Sequence, residues 1–383
     1  MTHATTPIPG VGAAPDLPRE GPPAPQRLER VRDALAREGA DWLLVPSSAD
    51  FRWITGATAR VTERLVAFAL PPRGEPFAMV PRLESEALAH DCPWLDLEIW
   101  SDGEDPFDRL ARRMKLERGP RVLVADGLRT APLLRLAALA RCQPAGDVLA
   151  GPRAVKDEEE LRRLGLAGRH ADAIVEETAD FMRPGMTERE VAAFVLSRFE
   201  AEGDHDAWAI VAAGENGAQP HHFTSDRRLA DGDVVILDVG AFTEGYGSDT
   251  TRTYFLGTPD GEAERVYQVV NQAREVGIAA ARDGALCEGV DRAARDAITR
   301  AGYGEAFTHR TGHGVGLEVH EPPYLVAGNR RALRAGMVHS VEPGIYLSGR
   351  FGVRLEDLVV VEAAGARRLN RAPLDPRPSR LRP

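Results

Sequence analysis

Four carboxylates and one histidine carry the chemistry of this 383-residue chain. Asp238 and Asp249 flank the turn Thr243-Glu244-Gly245, and Glu342 and Glu356 flank Ser348-Gly349-Arg350. Each pair is nearly equidistant from its turn, which predicts that its members face each other across a two-stranded ladder. Like charges opposed in that way are destabilising unless a cation sits between them. A solvated face explains them poorly. Asp238 follows Val234-Val235-Ile236-Leu237, Glu342 follows Val338-His339-Ser340-Val341, and Glu356 precedes Leu358-Val359-Val360-Val361. An acid at the end of an apolar strand is costly to bury unpaired.

The histidine lies between the hairpins in sequence, in Arg310-Thr311-Gly312-His313-Gly314-Val315-Gly316-Leu317-Glu318-Val319-His320-Glu321. Its glycines let the backbone come close to whatever the two imidazoles hold. Alone, either histidine reads as structural; beside four acids, His313 reads as a ligand. Four carboxylates and an imidazole form an oxygen-rich set suited to Mn²⁺, Co²⁺, Fe²⁺ or Zn²⁺, unlike the thiolates of a structural zinc site. Four negative charges over-supply a single divalent ion. Two ions about 3.5–4 Å apart, bridged by one carboxylate of each hairpin, would balance them and activate water.

The elements that must position these residues repeat. Leu161, Leu164, Ala171, Ile174, Val175 and Phe181 form one helical stripe that stops at Pro184-Gly185. Thr187 and Glu190 make a capping box that opens a second helix running to about Ala201. Strands follow from Asp233 to Val239 and from Asp249 to Leu256. Then come helices from Glu262 to about Arg282 and from Glu288 to Arg300, and strands from Met337 to Tyr346 and from Val353 to Glu362. Helix, helix, hairpin occurs twice, which predicts two half-domains forming a curved sheet backed by helices, with the hairpins face to face.

Upstream, residues 27–151 read as a mixed α/β domain. A helix carries Leu28, Val31 and Leu35 and stops at Gly39; strands are expected at Trp42–Val45, Arg64–Leu70, Pro76–Val80, Leu95–Trp100 and Val122–Val124. Residues 1–26, rich in Pro, Gly, Ala and Thr without an apolar signal core, are expected to be a disordered tail. The catalytic domain is then 152–383. Cys92, Cys142 and Cys287 match no metal spacing and read as free thiols of a reducing, cytoplasmic compartment. A formal charge of −10 argues against nucleic acid as a partner. No apolar run is long enough for a membrane span.

Leu237-Asp238-Val239-Gly240, Ser248-Asp249-Thr250-Thr251-Arg252-Thr253, Gly312-His313-Gly314-Val315-Gly316, Glu342-Pro343-Gly344 and Arg354-Leu355-Glu356-Asp357 occur in an order and at spacings that resemble the "pita-bread" metallopeptidases. That family includes methionine aminopeptidase, aminopeptidase P and prolidase, with creatinase as a non-metal relative. The resemblance covers nearly the whole chain after the tail. It implies an α/β fold with a pseudo-twofold catalytic domain behind a creatinase/prolidase-type N-terminal domain. It also implies two divalent ions, manganese first and cobalt, zinc or iron as alternatives. Asp238 would hold one ion, Asp249 and Glu356 both, and His313 and Glu342 the other. His221 would contact the substrate, and His320 would stabilise the tetrahedral intermediate or shuttle a proton. Glu342 could pass a proton to the leaving nitrogen, and His309 and Arg354 would line the pocket. Dimerisation is a further family-level expectation.

The separate N-terminal domain, Pro220-His221-His222 and Arg354 favour the Xaa-Pro branch, acting on small peptides. Within it, prolidase is the leading reading and Xaa-Pro aminopeptidase the alternative. A dipeptidase must sense the substrate's free carboxylate, for which Arg52, Arg350 and Arg354 are candidates. A creatinase-like hydrolase and a catalytically dead binding module are disfavoured, because all five ligand positions are filled.

Overall fold

A computed structural model describes residues 25–381. The tail expected over 1–26 lies outside the described residues except for Pro25 and Gln26, which open the first helix, α1 (Pro25–Arg37). By contact the chain divides into two compact units, Met1–Arg153 and Ala154–Pro383.

In the first unit β1 (Trp42–Pro46) leads into α2 (Ala49–Thr55), capped by the Ser48 side chain. A turn joins β2 (Ala67–Leu70) to β3 (Phe77–Pro81); α3 (Arg82–Asp91), β4 (Asp96–Trp100) and α4 (Pro106–Met114) follow. The unit is completed by β5 (Arg121–Val124), α5 (Thr130–Ala137), β6 (Arg141–Pro144) and α6 (Asp147–Ala154). One six-stranded sheet, in the order β4-β3-β2-β1-β5-β6, mixes parallel and antiparallel pairs.

The second unit holds the repeat. Its first half runs α7 (Glu158–Phe181), α8 (Glu188–Ala201), β7 (His205–Ala213), β8 (Val234–Thr243), β9 (Tyr246–Gly247) and β10 (Thr250–Phe255). Both helices begin at capping boxes, Asp157 with Glu160 and Thr187 with Glu190. The second half runs α9 (Gly261–Ala280), α10 (Cys287–Arg300), β11 (Gly312–Gly314), β12 (Glu321–Leu325), β13 (Val338–Val341), β14 (Gly344–Leu347), β15 (Phe351–Arg354), β16 (Asp357–Glu362) and β17 (Gly365–Arg368). The strand orders β10-β8-β7 and β16-β13-β11 match element for element. The repeat is therefore helix, helix, strand, hairpin, and β7 is the strand the periodicity missed.

Each half has its own core. α7 and α8 bury Ile174, Val175, Val191, Val195 and Phe199 against Val211, Leu237 and Val239. α9 and α10 bury Val266, Val270, Ala294 and Ile298 against Ile345, Val353 and Leu355. Truncating any of the large aliphatics here would cost roughly 2–5 kcal/mol.

Two expectations need correction. The long strands predicted at Met337–Tyr346 and Val353–Glu362 are each broken in two, at Glu342-Pro343 and at Leu355-Glu356. Proline has no N–H to give a ladder, so β13 and β16 pair within one sheet while β14 and β15 form a separate ribbon. Nor do Asp238 and Asp249 face each other. The turn closes on Glu244 (φ 49) and Gly245 (φ 81), two left-handed residues that suit a two-residue hairpin turn. Asp238 therefore faces Thr251, and Asp249 lies two residues back along β10's line. A shift of two keeps the side chain on the same face, so the acids are diagonal neighbours.

Candidate metal centre

Glu342 and Glu356 occupy the gaps in the broken strands. The registers on either side, Val341 with Asp357 and Gly344 with Arg354, place the two glutamates directly opposite each other. Glu342 N–H donates to Thr311 O (2.8 Å), tying it to the stretch that holds His313. Glu356 N–H donates to Thr251 O (3.0 Å), tying it to the first hairpin. One break thus hands its backbone donor to the stretch before β11 in its own half, and the other hands it to the first half.

His313 enters on β11, where the glycines are required by contact. A Cβ at Gly312 would lie 2.1 Å from Ser340 O, and one at Gly314 would lie 2.4 Å from Pro322 O. The ring is oriented by its own backbone: Nδ1–H donates to Gly314 O (3.2 Å), which leaves the Nε2 lone pair pointing at the acids. Nε2 stands 3.3 Å from Glu342 Oε1 and 3.6 Å from Asp249 Oδ2.

Three groups of ligand atoms gather within 4.8 Å: Asp238, Asp249 and Glu356; His313, Glu342 and Glu356; and Asp249, His313 and His320. Among the described residues Glu356, Asp249 and His313 each belong to two of them. Burial, with Glu356, Asp238 and Glu342 close by, holds the Asp249 carboxyl well above its ordinary value. Burial and the charges of Glu342 and Asp238 push Glu356 to about 8, and burial lifts Glu342 to about 7 against the pull of Arg354. One Glu356 oxygen accepts from Thr251 Oγ1 (2.7 Å), while the other, Oε1, is buried with no hydrogen-bond partner. Mutually raised acids and an orphaned buried oxygen are what a donor set built for cations shows without them. The residues fit divalent metal.

Around the acids lies a second ring of contacts. Arg354 donates from Nη2 to Asp238 and from Nη1 to Tyr346 Oη (2.9 Å). Tyr346 O–H donates to His309 Nε2 (2.8 Å), and His309 Nδ1–H donates to Arg310 O (2.8 Å). Burial lowers the His309 pKa to about 4, so the ring is neutral and both nitrogens are taken. His320 is exposed, yet its ring lies 4.0 Å from that of His313. Desolvation on that side, with the His313 and Arg310 charges, lowers its pKa to about 4.

The loop that carries His320 is pinned by a buried ion pair, Lys156 Nζ to Glu321 Oε1 (2.5 Å), with both side chains at most 2% exposed. His222 is held by Glu188, a buried carboxylate that accepts five hydrogen bonds, from His222 Nε2, Ala213 N, Asn216 Nδ2 and both Ser225 N and Oγ. His221, the exposed neighbour, is near enough for its charge to act on His309 and His320. Arg52 lies in the first unit, on α2, and is 8% exposed. Asp357 points away from the acids and is ion-paired to Arg252 (2.7 Å) and Arg274.

Sequence reasoning missed Thr251, Tyr346, Glu188 and the Lys156–Glu321 pair. Tyr346 did leave a signal. Its ring lies over Gly344 and Gly352, where added Cβ atoms would come within 2.6 and 2.9 Å of it.

Two family descriptions match the chain: metallopeptidase family M24 over residues 162–363, and the creatinase/prolidase N-terminal domain over residues 27–155. A probable dipeptidase PepE of Mycobacterium tuberculosis is 41% identical over 356 residues, covering 91% of this chain and 94% of that protein. The crystal structure of dipeptidase PepE from Mycobacterium ulcerans is similar with a TM-score of 0.88 at 39% identity, over 92% of this chain and 96% of that one. A prolidase structure from Thermococcus sibiricus follows at TM-score 0.84 and 35% identity, over 91% and 97%.

Proposed function

The chain belongs to metallopeptidase family M24, and on that premise we propose that it is a dipeptidase that cleaves the Xaa-Pro bond with two divalent ions, manganese first among them. The observation that carries this reading is the overlap of the ligand groups, which share Asp249, Glu356 and His313. Asp238 would complete one position, and His313 with Glu342 the other. The names of the relatives, dipeptidase and prolidase, favour dipeptides over longer substrates. Bound there, the ions supply Lewis acidity, lowering the pKa of water and polarising the scissile carbonyl.

The side chains divide the remaining work. Arg354 holds Asp238 in place and keeps Tyr346 turned toward His309. His320, neutral above about pH 4, presents a ring N–H to the oxygen on which charge develops. The Glu342 carboxyl moves a proton to the leaving proline nitrogen, which cannot depart unprotonated. His221 reaches the substrate from the loop that Glu188 anchors through His222, and His309 lines the pocket. The second unit is the catalytic domain, and the enzyme works as a cytoplasmic homodimer; among the described residues no helix is long and apolar enough to cross a membrane.

Turnover of Xaa-Pro dipeptides against Xaa-Pro-Xaa tripeptides tests the reading. The dipeptide is expected to be favoured by about tenfold or more in kcat/KM. The reverse preference would assign the chain to the aminopeptidase branch. Arg52→Ala tests the expectation drawn from the sequence that Arg52 senses the free carboxylate: a raised KM for the dipeptide alone would support it, and an unchanged dipeptide KM would end it.

A further inference from the structure

A cavity of about 650 Å³ opens between β16, β17, α9 and the segment 369–374. Its volume lies in the range of pockets that take small organic ligands. Five arginines line it, Arg252, Arg274, Arg367, Arg368 and Arg371, against a single acid, Asp357. In a chain of formal charge −10, that local excess runs against the composition.

The acids at hand do not balance it. Asp357 accepts from Arg252 through Oδ1 and from Arg274 through Oδ2, and Arg368 Nε stands 3.2 Å from Oδ2 without a hydrogen bond. Glu275, at the rim, pairs with Arg274 (2.6 Å) and Arg368. Arg367 pairs with Glu362 (2.8 Å), and Arg371 makes no side-chain ion pair among the described residues. Three guanidinium groups therefore share two carboxylates, and Arg371 draws on neither. Asp172, next to the wall, accepts from Asn370 and from Arg371 N–H, and burial raises its carboxyl toward the neutral form.

Arg274 shows the consequence. It is fully buried, its Nε has no hydrogen-bond partner, and burial together with the Arg252 charge lowers its pKa. A buried guanidinium with an unmade bond carries a desolvation cost that an anion would offset. Arginine's planar fork suits carboxylate and phosphoryl oxygens alike.

We propose that this cavity is a binding site for a small oxyanion, carboxylate or tetrahedral in type, held by Arg368 and Arg371 with the buried charge of Arg274 behind them. It is separate from the acids that would hold metal, which carry the opposite charge.

The test titrates sulfate and glutarate into the metal-loaded enzyme, each against chloride at equal ionic strength, with binding heat and thermal midpoint as readouts. At least one anion is expected to bind saturably. Sulfate alone would identify a tetrahedral ligand, glutarate alone a carboxylate. Arg371→Ser and Arg368→Ser, at surface positions, should each weaken binding by about tenfold, the loss of one charge-assisted bond. Anion-free dipeptidase activity should not change. Unsaturable stabilisation of the kind any excluded salt gives, or equal binding in both variants, would overturn the site.

Discussion

The two halves of the second unit solve one problem differently. In the first, β8 runs unbroken past Asp238 while its partner breaks once, at Ser248-Asp249 between β9 and β10; the register is kept across that break, and the acids sit diagonally, with Thr251 facing Asp238. In the second, both strands break, and Glu342 and Glu356 face each other directly. The hairpin that keeps one strand whole separates like charges by register. The broken one brings them together and compensates with His313 and with backbone bonds to its neighbours. A regular ladder is a good scaffold for a diagonal pair and a poor one for an opposed pair, because the opposed pair needs side chains to leave the plane of the pleat.

The proposed centre takes one shared acid from each half, Asp249 and Glu356, and removing either tests it most severely. Asp249→Ala and Glu356→Ala are each expected to lose both ions and to fall to background turnover, measured by metal analysis and kcat/KM. Two ions retained in either variant would break the equivalence of the halves. His320→Ala removes a group carried only by the second half. It should keep both ions and lower kcat by roughly 10²–10³-fold, the usual effect of deleting one donor to a developing oxyanion. Metal loss in that variant would instead make His320 a ligand beside Asp249 and His313.

Arg354 belongs to the second half but serves the first, through Asp238. Arg354→Ala is expected to weaken metal affinity by roughly 10–100-fold, as loss of an outer contact to a ligand does; equilibrium dialysis against a chelator would measure it. The smallest effect concerns the metal-free protein. Glu356, at about 8, and Glu342, at about 7, are raised above their unfolded values, so the folded state binds more protons in between. Stability should then be greatest below about pH 4.5 as far as these groups decide it, and fall as pH rises to about 8. Thermal midpoints of the chelated protein across that window check this, and Glu342→Gln should flatten the slope.

How much of this was legible in the sequence depends on distance along the chain. The symmetry of Glu342 and Glu356 about Gly349 gave their register correctly, since a short turn fixes the pairing of what flanks it. The same reasoning misplaced Asp249 by two residues, because Thr243 lies in β8 and the true turn is Glu244-Gly245. Helix ends were readable wherever a capping box marked them, as at Thr187. β7 escaped because its burial does not alternate: His205 to Ile210 stay partly exposed, and only Val211 to Ala213 are buried. The polar contacts that hold the site left almost no sequence signal. Glu188 meets His222 across 34 residues and Lys156 meets Glu321 across 165, and neither pairing has a period that a local pattern could show.

Lys156 and Lys115 are the chain's only lysines. With its amine at 1% exposure and paired to Glu321, Lys156 is closed to acylating reagents, whereas Lys115 is exposed beyond the end of α4. Apart from the amino terminus, an amine-reactive dye should therefore label one place on the folded chain. Any label that does arrive at Lys156 marks molecules in which the loop bearing His320 has come open, so peptide mapping after timed labelling would clock that opening.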